Sequence, residues 1–174
     1  MRAIPGAIEE VRINSTTLQP TLRVIGEGRP AGICGSGMIS ALAEMLLTGV
    51  INRAGKINVD LVVSRTGVPR ARRGDHGAEY VLAWAAESAV REDIVLTEVD
   101  INNLIRTKAA IYAGIGVMAR SLGIDLASVE GVLIGGAFGQ HINVESAIQI
   151  GLLPDLPWER FKFLGNTSLA GAVQ

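Results

Sequence analysis

One cysteine, Cys34, stands among 174 residues. A single thiol closes no internal disulfide and falls short of the four-thiolate shell of an iron–sulfur cluster. His76 and His141 are the only histidines. They lie far apart without ligand spacing, so no protein-only zinc site is expected. Aromatic residues make up 4% of the chain. Packing and turning therefore fall to Ala, Ile, Leu, Val and 21 glycines, a mix that suits an α/β domain in which small residues let helices approach a sheet. The formal charge of −1 sets up no field that would recruit nucleic acid or an anionic membrane. No apolar run reaches the roughly 20 residues of a membrane span. The N-terminus lacks the basic region, apolar stretch and cleavage site of a signal peptide. A cytoplasmic protein is expected, in which the sequons at Asn14 and Asn166 carry no meaning. No Ser-His-Asp set, Cys-His pair or paired carboxylates stand out, so no catalytic residue and no metal ligand is assigned.

The periodicities predict alternating strands and helices. Ile8 to Ile13 and Thr21 to Ile25 alternate weakly around polar Asn14 to Pro20, which reads as a β-hairpin. Gly26 to Pro30 is a turn. Met38, Ile39, Leu42, Ala43, Leu46 and Leu47 recur at helical spacing until Gly49. Residues 52–78, rich in Gly, Arg and Pro, read as an irregular excursion. Within it, Arg70-Ala71-Arg72-Arg73 reads as a solvated loop or as a contact for an anion or partner. Strands are expected at Tyr80 to Ala85 and Ile94 to Leu96. Thr97 and Asp100 then start a long helix in the manner of a capping box. Its expected buried stripe is Leu104, Ile105, Ile111, Tyr112, Ile115 and Met118, with Gly123 as C-terminal cap. Val132 to Ile134 is a buried strand. Asn143 caps a short helix that stops at Gly151, and Phe161 to Leu164 is a last strand before a helix begins near the end of the chain.

Three glycine motifs invite a ligand reading. Gly135-Gly136 ends a buried strand, where missing Cβ atoms let a ligand approach the backbone and a following helix start favours phosphate or a polar edge. The same pattern also makes a tight structural turn. Gly35-Ser36-Gly37 offers exposed amides and a small hydroxyl ahead of a helix, or a turn in which Ser36 is the helix cap. Cys34 beside it reads as a small buried hydrophobe. Gly114-Ile115-Gly116-Val117-Met118-Ala119 fits the dinucleotide spacing but sits inside a helical stripe, so the fingerprint is rejected; glycines there would allow close helix packing. Arg106 and Lys108, two residues apart, point in different directions on their helix and read as surface charge.

Six ordered segments carry a resemblance: 1–9 (Met-Arg-Ala-Ile-Pro-Gly-Ala-Ile-Glu), 32–37 (Gly-Ile-Cys-Gly-Ser-Gly), 100–114 (from Asp-Ile-Asn-Asn-Leu-Ile-Arg-Thr-Lys to Tyr-Ala-Gly), 135–139 (Gly-Gly-Ala-Phe-Gly), 151–155 (Gly-Leu-Leu-Pro-Asp) and 165–171 (Gly-Asn-Thr-Ser-Leu-Ala-Gly). Together they resemble the C-terminal ATPase domain of ATP-dependent reductive activators of corrinoid proteins. That domain belongs to the acetate and sugar kinase, heat-shock chaperone and actin superfamily. The resemblance implies an actin-like, ribonuclease-H-like α/β lobe, a mixed sheet flanked by helices. It implies one partial domain over 1–174, the second lobe of the ATPase, truncated at both ends and with an apolar face left uncovered.

The resemblance assigns Gly135, Gly136, Phe138 and Gly139 to the adenosine wall, Lys108 to adenine or ribose, and Gly35, Ser36 and Gly37 to a loop lining the cleft. ATP and Mg2+ are the implied ligands of a complete parent, with an iron–sulfur cluster only in an absent N-terminal domain. A corrinoid protein of a methyltransferase system is the implied partner, and a homodimer the implied assembly. The implied function is reduction of cobalt(II) corrinoid to cobalt(I). A lobe of a small-molecule kinase and a non-catalytic dimerisation or binding module are the alternatives.

Overall fold

The computed structural model describes residues 1–136 and 142–172. The chain forms two compact units, Met1–Arg106 and Thr107–Gln174.

In the first unit, β1 (Ala7–Ile13) and β2 (Pro20–Val24) make the expected antiparallel hairpin, and β3 (Gly32–Ile33) adds to the other edge of β1 in parallel. Asn14 shapes the loop by accepting the amides of Thr16 and Thr17 at 2.9 and 2.8 Å, an Asx turn. α1 (Gly35–Leu47) packs along this sheet. Ser40 Oγ accepts the Val11 amide at 2.9 Å and a Glu44 carboxylate oxygen accepts that of Ile13 at 2.7 Å. The helix thereby satisfies strand amides that would otherwise be buried without partners.

Residues 52–78 are ordered, contrary to the irregular excursion expected there. α2 (Val59–Thr66) is capped by Asn58, whose side chain accepts the Leu61 amide, and ends at Gly67 with φ +68°. β4 (Ala71–Gly74) and β5 (Gly77–Ala83) form a hairpin across Asp75-His76, and β6 (Ile94–Thr97) pairs with the far side of β5. The basic run is not a loop: Ala71 to Arg73 lie on β4, Arg70 and Arg72 are held by the fold, and Arg73 is exposed. Arg70 is buried, donates from Nη1 to Val81 O at 2.9 Å and lies 5.1 Å from the Trp84 ring centroid. Arg72 bridges Glu79 and Asp93 at 2.7 and 2.9 Å. Carboxylates hold the Arg72 guanidinium, and main-chain carbonyls take Nη1 of Arg70, whose Nε is buried without a hydrogen-bond partner among the described residues.

Tyr80 on β5 is fully buried and donates its hydroxyl to Leu18 O at 2.8 Å. Burial pushes its phenol well above the ordinary range, while the charge of Arg70 opposes the shift. Leu18 sits at φ +53°, a conformation uncommon for a side-chain-bearing residue, and the Tyr80 bond secures its carbonyl. Tyr80→Phe should therefore cost about 2 kcal/mol, because a buried acceptor loses its partner. Urea denaturation of the two proteins measures the difference, and equal stabilities would remove Tyr80 as the anchor of the first hairpin loop.

α3 (Glu98–Ser121) begins in the first unit and continues in the second. Its start is the capping arrangement read from the sequence: Asp100 accepts from the Thr97 amide and returns its own amide to Thr97 Oγ1, both at 3.1 Å. For Glu98, burial favours the neutral acid. Lys56 at 2.8 Å and the Ile57 amide at 3.0 Å outweigh it and hold the carboxyl below its usual value. The expected buried stripe is only partly realised. Leu104, Ile105 and Ile115 are half-buried, but Ile111, Tyr112 and Met118 are 44%, 52% and 62% exposed. Much of that face is exposed, and a Cβ at Gly114 would meet nothing within 4 Å among the described residues rather than a packed helix.

In the second unit, β7 (Val132–Gly135) and β8 (Phe161–Gly165) pair in parallel. α4 (Val144–Gln149) lies between them in sequence, capped by Asn143 through the Ser146 amide at 3.0 Å and stopped at Gly151 with φ +71°. α5 (Thr167–Ala172) follows β8. Arg160 joins the approaches to the two strands by donating to Ala127 O and Val129 O at 3.0 and 2.8 Å. Among the described residues the strands form three small sheets: β2-β1-β3, which is mixed, β4-β5-β6 and β7-β8.

Candidate functional site

The carboxyl ends of β7 and β8 bring two glycine turns together. Parallel strands of an α/β fold place their ligand crevice at this edge, because the chain turns away into helices there and leaves backbone groups free. Gly135 is in register with Gly165 after an irregularity at Ile134, and the Gly136 amide donates to Gly165 O at 2.6 Å. Gly136 has φ +106°, and a Cβ built on it would meet nothing within 4 Å among the described residues. Gly135 differs: a Cβ there would lie 2.6 Å from Thr167 Oγ1. One glycine answers to backbone conformation and an open face, the other to a neighbour already in place.

Phe138 and Gly139, expected beside these glycines, lie outside the described residues. Gly165 and Thr167 are the site neighbours that sequence reasoning left out of the site. Their signal was a second strand ending in Gly-Asn-Thr, the counterpart of the one ending in Gly-Gly.

Lys108 is half-buried on α3. It lines an open cleft of about 300 Å³ with Tyr112, Ile148, Gly151, Leu153 and Asp155. Its Nζ stands 3.4 Å from the Cβ position of Gly151. Lys108 thus lies near Gly151, just past the carboxyl end of α4, whereas Gly135-Gly136 precedes that helix in sequence. Arg106 is exposed.

Gly35, Ser36 and Gly37 belong to the first unit and form the first turn of α1. Here the expectation of exposed amides and of a Ser36 cap meets a different geometry. The N-cap is Cys34, with no side-chain cap bond, and Ser36 and Gly37 are buried. Ser36 Oγ lies 3.1 Å from Cys34 Sγ, which is within 3.3 Å of Ile8 O. A Cβ on Gly37 would strike Ile8 O and come 2.8 Å from Ile33 Cγ1. Close approach of helix to strand explains Gly37, and only Gly35 is partly open. Cys34 is the small buried residue expected, and its single enclosed sulfur does not fit a cluster shell.

The match to known proteins runs the length of the chain. The family profile described as the C-terminal domain of RACo, the ASKHA domain, covers residues 1–174. The corrinoid activation enzyme RamQ of Eubacterium limosum is 33% identical over 174 residues, 99% of this chain and 29% of that protein. A solved structure of a reductive activator for corrinoid, iron–sulfur protein is 46% identical with a TM-score of 0.91, over 99% of this chain and 27% of that one. The chain therefore spans less than a third of the length of these relatives. Its small sheets flanked by helices are those of an actin-like ATPase lobe. By the full-length profile match and both relatives, the chain belongs to the family of RACo C-terminal, ASKHA domains.

Proposed function

We propose that this chain is the adenosine-holding lobe of an ATP-dependent activator that drives reduction of cobalt(II) corrinoid to cobalt(I) on a methyltransferase corrinoid protein in the cytoplasm. The observation that carries the reading is the turn at the ends of β7 and β8, where Gly136 presents backbone with no side chain and, among the described residues, no neighbour within 4 Å of its Cβ position. Gly136 and Gly135 supply the backbone wall, to which the resemblance also assigns Phe138 and Gly139. Lys108 supplies a cation toward the adenine or ribose, and Gly35 to Gly37 hold a first-unit turn in place.

Reduction of cobalt(II) to cobalt(I) takes one electron. The single buried thiol of this chain does not build a cluster shell, so the electron would come from an iron–sulfur domain of the complete activator. The role of this lobe is energetic. ATP shifts the activator toward the state that docks the corrinoid protein only if that state binds nucleotide more tightly than the other. The resemblance implies two acidic, Gly/Thr-rich phosphate loops upstream of residue 1, which would hold magnesium and position the attacking water. Without such loops to position water and stabilise the transferring phosphoryl group, turnover is lost.

The isolated 174-residue chain should accordingly release no phosphate from Mg-ATP above a protein-free blank. Calorimetric titration with a non-hydrolysable ATP analogue should still give a saturable heat. Steady phosphate release that Gly136→Val abolishes would show that the chain carries its own catalytic apparatus. Absence of saturable binding, both here and in the complete activator, would favour a non-catalytic binding module.

A further inference from the structure

The two glycines of the turn are held differently, and the difference points to a residue with no assigned role. Thr167 is the first residue of α5, fixed there by Asn166, whose side chain accepts the Leu169 amide at 3.1 Å and whose carbonyl accepts that of Ala170, also at 3.1 Å. From that position its side chain covers Gly135. The Cβ position of Gly135 is 2.6 Å from Thr167 Oγ1, 3.3 Å from Cγ2 and 3.5 Å from Cβ. The Gly136 amide is tied to Gly165 O at 2.6 Å, two residues before Thr167.

Two successive glycines are conformationally permissive, so their sequence does not fix the peptide between them. A binding turn that must be ordered on each encounter loses affinity to that ordering. A β-branched side chain with few χ1 choices is a stiff wall. We propose that Thr167 is a positioning residue for the nucleotide turn: by filling the Cβ side of Gly135 it holds the Gly135-Gly136 peptide in the orientation that leaves Gly136 facing the ligand. The assignment rests on the nucleotide reading of this edge. It concerns shape, so the methyl and branch matter and the hydroxyl proton does not.

The test is reciprocal. Binding of the non-hydrolysable ATP analogue AMP-PNP is measured in the complete activator, together with thermal midpoints. Thr167→Ala should weaken binding several-fold, up to about tenfold, through loss of pre-organisation, while Thr167→Val keeps the wild-type affinity. Gly135→Ala should collide with Thr167 and weaken binding by about tenfold or more. Adding Thr167→Ala to it vacates the space, so the double variant should bind like Thr167→Ala alone. If wild type binds AMP-PNP and the folded double variant is no better than Gly135→Ala, the positioning role is wrong. The same holds if Thr167→Val binds as poorly as Thr167→Ala. If wild type binds no AMP-PNP, the nucleotide reading fails, and this assignment fails with it.

Discussion

Gly136→Val in a complete activator should weaken ATP binding by at least tenfold, about 1.4 kcal/mol. Two features decide this. Among the described residues the Cβ position at Gly136 has no neighbour within 4 Å, so an added isopropyl group would project from the turn on the side proposed to take the ligand. The residue also sits at φ +106°, which side-chain-bearing residues adopt only at a cost of about 1–3 kcal/mol. That strain lowers the thermal midpoint somewhat, but it acts at a strand end outside the core and leaves the fold formed. Gly136→Ala carries the strain with a smaller obstruction, so its affinity loss should be smaller than that of valine. A purely structural turn predicts the other pattern: both variants melt earlier while the folded protein binds nucleotide as before.

Gly37→Ala should destabilise the chain by about 2 kcal/mol or more. Alanine in a helix interior is favoured over glycine by about 1 kcal/mol, so propensity alone predicts stabilisation. Packing decides otherwise. The new methyl would strike the carbonyl oxygen of Ile8 on β1 and approach Ile33 Cγ1 to 2.8 Å. A strand carbonyl inside a sheet cannot rotate away as a side-chain tip can. Overpacking against it costs about 3 kcal/mol, which exceeds the propensity gain. Gly114→Ala is the matched control. It is also a helical glycine, but its Cβ would meet nothing within 4 Å among the described residues, so the same substitution should stabilise by up to about 1 kcal/mol. Opposite signs in denaturant titrations of the two variants would confirm that contact decides. Equal signs would mean that the approach of α1 to β1 relaxes freely.

Local chemistry was readable wherever a cap or turn residue governed a whole element. Thr97 with Asp100 marks the start of α3, Asn143 and Gly151 bracket α4, and polar Asn14 to Pro20 marks the first hairpin loop. Within 52–78 the same signals were present, Asn58 before an apolar run and Gly67 after it, but glycine, proline and arginine in the surroundings masked them. Arg70 misled for a different reason. A basic run implies water, and only the fold shows that Val81 O and Trp84 enclose its guanidinium. The stripe on α3 was legible as periodicity, but periodicity reports a face suited to burial without saying what covers it, and Ile111, Tyr112 and Met118 are exposed. At the candidate site, the paired glycines stood out in the sequence. That one of them is closed by Thr167 and the other open depends on a contact across 32 positions of chain, which spacing cannot reveal.

The central claim is that nucleotide held at the Gly136 turn drives cobalt reduction. Its most direct measurement follows cobalt(I) formation by absorbance when a cobalt(II) corrinoid protein is mixed with the complete activator and an electron donor, with and without Mg-ATP. Cobalt(I) should accumulate only with ATP, and Gly136→Val should reduce that accumulation at sub-saturating ATP and recover it as ATP is raised. Equal cobalt(I) formation without nucleotide, or an ATP dependence unchanged by Gly136→Val, would contradict the account.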